Sequence, residues 1–201
     1  PTFSPTNQWC QLFNRDAADG GVINLRQLSR NQSFINTSGI DLALDYTLNL
    51  QQAGQLRFNL NGTWTEKYES QVTSVDPVND FVGTIGSGTG SAVPEWRFTL
   101  NTNYSVDDLS LNLSARYIQD MVHGNTVTGG SPITNTGVPS TWYLDLNGTY
   151  ALTDNIELRG GINNLLDQEP RIYTPNVQAN TDPSLYDVVG RSAFVGVKLR
   201  F

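Results

Sequence analysis

Seven times along this chain, apolar and polar residues alternate with a period of two. In Ile40–Leu50 one row holds Ile40, Leu42, Leu44, Tyr46, Leu48 and Leu50. The other holds Asp41, Ala43, Asp45, Thr47 and Asn49. The pattern returns in Leu56–Trp64, Trp96–Tyr104, Leu109–Tyr117, Trp142–Tyr150 and Ile156–Ile162. Its last instance sets Ala193, Val195, Val197, Leu199 and Phe201 against Ser192, Phe194, Gly196, Lys198 and Arg200. A helix brings every third or fourth residue to one face, so this period specifies strands with one apolar and one polar face. The connections alternate too. Gln51–Gln55, Ser105–Asp108 and Ala151–Asn155 are short, whereas 65–95, 118–141 and 163–190 are long and rich in Gly, Pro, Asn and Thr. Up-and-down antiparallel hairpins follow, with tight turns at one end and large loops at the other. Residues 1–32 are less periodic and read mainly as loop, with Val22–Leu28 an extra strand or an extension of the first one.

Alternation alone admits two solvents for the apolar rows: a protein core, as in a soluble β-sandwich or barrel, or lipid. Three details favour lipid. Aromatic residues stand at the strand ends, at Trp64, Trp96, Tyr104, Tyr117, Trp142, Tyr150 and Phe201. There they would form girdles at the two membrane interfaces. A ten-residue strand spans roughly 33 Å. Tilted by about 45°, it covers roughly 23 Å, close to the apolar band of an outer membrane. The polar rows, finally, carry Asn, Asp, Thr, Arg and Gly rather than the Lys and Glu of a soluble surface.

Composition agrees. Apolar residues make up 38% and charged residues 15%, below the roughly 45–50% and 25% of soluble domains. The net charge of −7 argues against nucleic-acid binding, which needs a basic face. No run of about 18 apolar residues exists for a membrane helix, a criterion that barrel strands escape. Backbone groups left unpaired in hydrocarbon are costly, so a membrane sheet must close. Bacterial barrels start at about 8 strands, usually in even numbers. Seven strands, with no initiator Met or signal peptide ahead of them, therefore lead to the expectation of a larger barrel with residues missing upstream.

Residues 161–201 sharpen this. Asn164-Leu165-Leu166-Asp167, Pro170, Asp182-Pro183, Tyr186-Asp187, Gly190-Arg191 and the final strand ending on Phe201 resemble the last hairpin of TonB-dependent outer-membrane receptors. Leu166 stands where the family usually has Phe. Asn36–Leu50 is similar to the family's Gly-Ile-Asp/Glu strand, and Trp9–Leu25 to an extracellular stretch of one environmental branch. The resemblance implies an all-β, antiparallel, up-and-down transmembrane β-barrel. Residues 1–201 would be about the last seven strands of 22, with short periplasmic turns and long extracellular loops. The upstream strands and the plug domain would lie outside them. It implies an integral protein of the bacterial outer membrane that imports a large nutrient: a siderophore, cobalamin or an oligosaccharide. Its partners would be outer-membrane lipid, the missing strands and plug of the same chain, TonB through that plug, and the barrel assembly machinery. Neither catalysis nor a cofactor is implied. A porin, a barrel enzyme such as a phospholipase or protease, and a soluble β-sheet binding module are the alternatives.

Candidate residues follow from faces and loops. Asp41, Asp45, Arg57, Arg97, Arg116, Asp145, Glu157, Arg159, Lys198 and Arg200 fall on the polar rows. They would line the lumen, touching substrate or plug, or pairing with one another across neighbouring strands. Phe81, Tyr173 and Tyr186 lie in loops, where exposed rings could stack on a ligand. Phe201 would be both a girdle residue and the assembly signal. Cys10 would be a free thiol or pair with an upstream cysteine. His123 reads as a loop residue beside Met121, without the partners of a metal site. Gly83–Gly90 is glycine-rich but lacks the Lys-Ser/Thr of a phosphate loop, and reads as a surface loop. Asp41 and Asp45 are roughly 13 Å apart on a strand, too far for a paired acid–base site.

Overall fold

The structure is a computed structural model that describes residues 6, 10–27, 34–86, 92–130, 134–174 and 178–201. The chain divides into two units, 1–33 and 34–201. In the first, Asn14–Arg15 pairs antiparallel with Val22–Ile23. The Asp16 and Asp19 carboxylates accept the amides of Ala18 and Gly21 in the turn between them. The extra strand expected at Val22–Leu28 is thus a two-residue ribbon on Asn14–Arg15, and Leu28 lies outside the described residues.

In the second unit all seven alternating segments are strands: β1 (Phe34–Asn49), β2 (Gln55–Gln71), β3 (Trp96–Val106), β4 (Leu109–Ile118), β5 (Thr141–Thr153), β6 (Ile156–Asn163) and β7 (Ser192–Leu199). Each pairs antiparallel with its sequence neighbours, from β1 at one edge to β7 at the other. The sheet is an antiparallel meander whose two edges have no strand partner among the described residues. The tight connections share one end, as the alternation requires. Residue 107 supplies a positive φ of 45° between β3 and β4, where Asp tolerates it.

Two boundaries differ from expectation. β1 begins at Phe34 and β2 runs on to Gln71, well into the segment read as a long loop from Thr65. Side chains brace this extension: Asn36 donates to Glu69 at 2.9 Å, and Ser38 to Glu66 at 2.9 Å. Polar residues occupy both faces there, so pairing continues without the alternation that reveals it. The register shifts at Ser38/Gly39, where the Gly39 backbone lies so close to the Trp64 carbonyl that an added Cβ would collide with that oxygen.

Among the described residues of this unit, no second layer covers the apolar face. Ile40, Leu42, Leu44 and Tyr46 are 55–61% exposed, and Val195 is 90% exposed. A soluble sandwich would bury these rows. The buried cluster instead joins Ile118 and Tyr143 at the strand ends to Ile85, Met121, Val138, Tyr173, Leu185 and Tyr186 from the long connections. Met121–His123 there pairs antiparallel with Gly137–Val138 and parallel with Thr84–Ile85. His123, expected in a loop, is therefore a strand residue, because the 65–95 connection and the far end of its own connection supply backbone partners.

Aromatic side chains on the apolar face fall at two levels. Trp64 and Trp96 are register partners with rings 5.9 Å apart. Phe98, Tyr117 and Trp142 continue that level at 4.9–5.3 Å. Tyr104 and Tyr150 stand near the tight-turn end, where Tyr104 donates its hydroxyl to the Ala53 carbonyl.

Candidate substrate cleft at the loop end of the polar face

The polar face is a lattice of short side chains. Antiparallel register sets Asp41, Thr63 and Arg97 side by side on three strands. Thr63 donates to Asp41 at 2.8 Å. Lower on the same face, Asp45 accepts from Arg57 at 3.2 Å and Asn59 at 3.0 Å. At the far edge Arg200 lies 3.5 Å from Glu157. The Arg57–Asp45 pair is largely solvated and so contributes about 0–1 kcal/mol. Asp145 instead holds backbone, its carboxylate accepting the amide of Asn164 at 2.7 Å. The side chains of Arg97, Arg159 and Lys198 make no hydrogen bond or ion pair among the described residues.

The connection from β6 to β7 folds onto this face. It leaves β6 through Asn164, whose φ is 52° and whose side chain is buried. The Asn164 amide nitrogen donates to the Gln168 carbonyl, and its oxygen accepts from the Gln168 amide, at 2.9 and 2.8 Å. The Asp167 carboxylate accepts the Arg191 amide at 2.9 Å, closing the connection just before β7. The Asn-Leu-Leu-Asp segment is thus a self-bonded turn. Further along, Arg171 donates to the Thr141 hydroxyl at 2.8 Å, and the Thr181 hydroxyl donates to the Arg171 carbonyl at 2.6 Å.

The tip of the connection reaches the wall at Arg116. Its guanidinium holds the Asp187 carboxylate and lies 4.6 Å from the Tyr143 ring centroid. The Tyr143 hydroxyl accepts the Asp187 amide at 3.2 Å. Between tip and wall is a cleft of about 450 Å³, lined by Asp41, Thr63, Arg97, Arg116, Ser184 and Leu185 among others. No local pattern links Arg116 to Asp187, 71 residues away.

The loop aromatics require a correction. Phe81, Tyr173 and Tyr186 were expected to offer exposed rings; they are 4%, 8% and 1% exposed. Tyr173 and Tyr186 pack with Leu185, Ile118 and Met121, because the loops fold on one another and their rings are the apolar surface available to bury. Burial pushes both phenols upward, and neighbouring Tyr143 adds to the effect on Tyr186. The Tyr186 hydroxyl has no hydrogen-bond partner among the described residues. The buried His123 accepts the Asn125 amide on Nδ1 at 3.2 Å. Among the described residues no group of three or more His, Cys, Asp or Glu could hold a metal ion. Of the glycine-rich segment, Thr84–Ile85 is strand, and 87–90 lie outside the described residues.

A family model described as TonB dependent receptor-like, beta-barrel, matches residues 6–165. The chain belongs to the TonB-dependent receptor β-barrel family. Two solved receptors share the fold. The siderophore receptor PirA of Acinetobacter baumannii is 20% identical, with a TM-score of 0.54 over 94% of this chain and 26% of that one. A point variant of the ferric enterobactin receptor PfeA of Pseudomonas aeruginosa is 18% identical, with a TM-score of 0.51 over 82% of this chain and 22% of that one. The chain therefore spans about a quarter of the length of these TonB-dependent receptors. No curated protein sequence matches it.

Proposed function

We propose that this chain forms part of the wall and rim of an outer-membrane receptor that imports a large nutrient with energy relayed by TonB. The uncovered apolar face, bounded by two aromatic levels, carries the reading. Such a face meets lipid, while the opposite face is polar and carries the folded loops. Family membership supports the transport role. One fold relative is named a siderophore receptor and the other a ferric enterobactin receptor, which favours a ferric siderophore over cobalamin or an oligosaccharide as cargo. On this reading Trp64, Trp96, Tyr117 and Trp142 form the outer girdle, and Tyr104 and Tyr150 the periplasmic one. The polar-row charges line the lumen, the plug would occupy that lumen, and Phe201 would be read by the assembly machinery. A barrel enzyme finds less support, since the His123 side chain bonds a backbone amide rather than a nucleophile or an acid.

The test is uptake by the intact receptor in its host. Labelled ferric siderophore should accumulate in cells carrying the receptor and TonB, and in neither single deletion. Accumulation that persists without TonB would convert the reading to a porin. Phe201→Ala should reduce the heat-modifiable, membrane-inserted fraction; an unchanged yield would remove the assembly role.

A further inference from the structure

We infer that the three long connections fold as one platform at the loop end of the wall, and that His123 is its acid-sensitive lock: protonation of this imidazole loosens all three together. The inference concerns the loop end alone and holds whatever the cargo is.

Backbone carries the first step. Val122 and Gly124 donate their amides to the Gly83 and Ile85 carbonyls, each at 2.9 Å, which ties the 118–141 connection to the 65–95 connection. The His123 amide reaches the Thr136 carbonyl at 2.7 Å. The β6–β7 connection joins where the Asn135 side-chain amide donates to the Ile172 carbonyl at 2.6 Å. Packing follows the same plan. Ile85 comes from the first connection, Met121 and Val138 from the second, and Tyr173, Leu185 and Tyr186 from the third, and they bury one shared apolar surface. No connection brings enough of these side chains to make a core alone, so the three should open as one cooperative unit.

Chemistry carries the second. His123 is 6% exposed, so the surroundings of its ring are these connections themselves. It meets all three. Nδ1 accepts the Asn125 amide at 3.2 Å, the Tyr173 ring lies 6.2 Å away between centroids, and Nε2 stands so close to Gly86 that an added Cβ would collide with it. A backbone amide can only donate, so Nδ1 offers a lone pair and the proton of the neutral ring sits on Nε2. A second proton can go only to Nδ1, where it would face the Asn125 N–H. Protonation therefore breaks that bond and leaves a charge in an enclosed site. The ionisable neighbours do not relieve it. Tyr173 is a neutral phenol, with Asp182 acting on it from beyond. Asp80, on the segment packed against the 125–128 turn, takes the Tyr68 and Val82 amides. Gly86, Thr126 and Thr136 bring no charge, and among the described residues no carboxylate lies within ion-pair distance of the ring. The charged ring reaches water only by opening the junction, and the shared sheet and cluster carry that opening to all three connections.

The experiment is hydrogen exchange on the intact receptor in detergent, read by mass spectrometry at about pH 7.5 and about pH 5.5 and corrected for the intrinsic exchange rate. Protection of the peptides holding Ile85, His123 and Tyr186 should fall together in acid, each at least about tenfold. Peptides of the wall, at Leu100 and Leu113, should not change. His123→Asn keeps an acceptor near the place of Nδ1 but takes no proton, so its platform should stay protected at both pH values. Heat-modifiable mobility shows that the variant is folded. The wild-type comparison decides by itself whether the three connections open together, even if the variant fails to insert. Wild-type protection indifferent to acid, a loss confined to the His123 peptide, or an acid response that persists in His123→Asn would each overturn the inference.

Discussion

At Asn164 the chain leaves β6 in a left-handed conformation, and one side chain closes the turn with two hydrogen bonds to Gln168 while Asp145 takes its amide. Asparagine adopts this conformation at little cost, whereas alanine does so less readily and cannot form the bonds. Asn164→Ala should destabilise the receptor by about 1–3 kcal/mol, seen as a lower melting temperature in detergent. Asn164→Gly should recover only the conformational part. The buried phenols make a second prediction. Their folded pKa values are raised above the ordinary value, so folding favours the protonated form. Their contribution is complete below about pH 10, near the unfolded phenol's pKa, and is lost as pH rises through the folded values. Phenolate absorbance should show Tyr173 and Tyr186 titrating late, and Tyr186→Phe should remove one late transition. A Tyr186→Phe receptor with an unchanged titration would refute this.

Among the elements, the faces of β1 are separable by substitution. Leu44→Arg places a guanidinium in the apolar band and should cost about 2–4 kcal/mol near the midplane. Ala43→Arg, one residue earlier but on the polar face, should cost less than about 1 kcal/mol. Urea unfolding of the receptor in lipid vesicles measures both, and equal costs would reject the lipid assignment. The same contrast explains what the residues reveal. Leu44 and Ala43 meet different surroundings, so all seven strands and their facing can be read from alternation. Asn36, Ser38, Glu66 and Glu69 meet similar polar surroundings on both faces, so the extension of β1 and β2 leaves no periodic trace. Of the cleft, the polar-row position of Arg97 and Arg116 was legible. The burial of Tyr186 and the hold of Arg116 on Asp187 were not, since each depends on how a long connection folds back.

For the whole molecule, the free edges of β1 and β7 dominate. Every unpaired backbone group along them would be costly in hydrocarbon, and in water such edges invite association. Residues 1–201 expressed alone should therefore run as oligomers or aggregates in light scattering, whereas the intact receptor should be a discrete detergent-soluble species. A monomeric, detergent-free fold would contradict the membrane assignment outright. The nearest-neighbour strand order has a separate consequence for descent. Because the seven wall strands pair with one another in chain order, a hairpin can be duplicated or lost by a single in-frame event without rewiring any other pairing between wall strands. Such a wall can change circumference in steps of two strands, and ancestry would be recorded in repeat number rather than in rearranged topology.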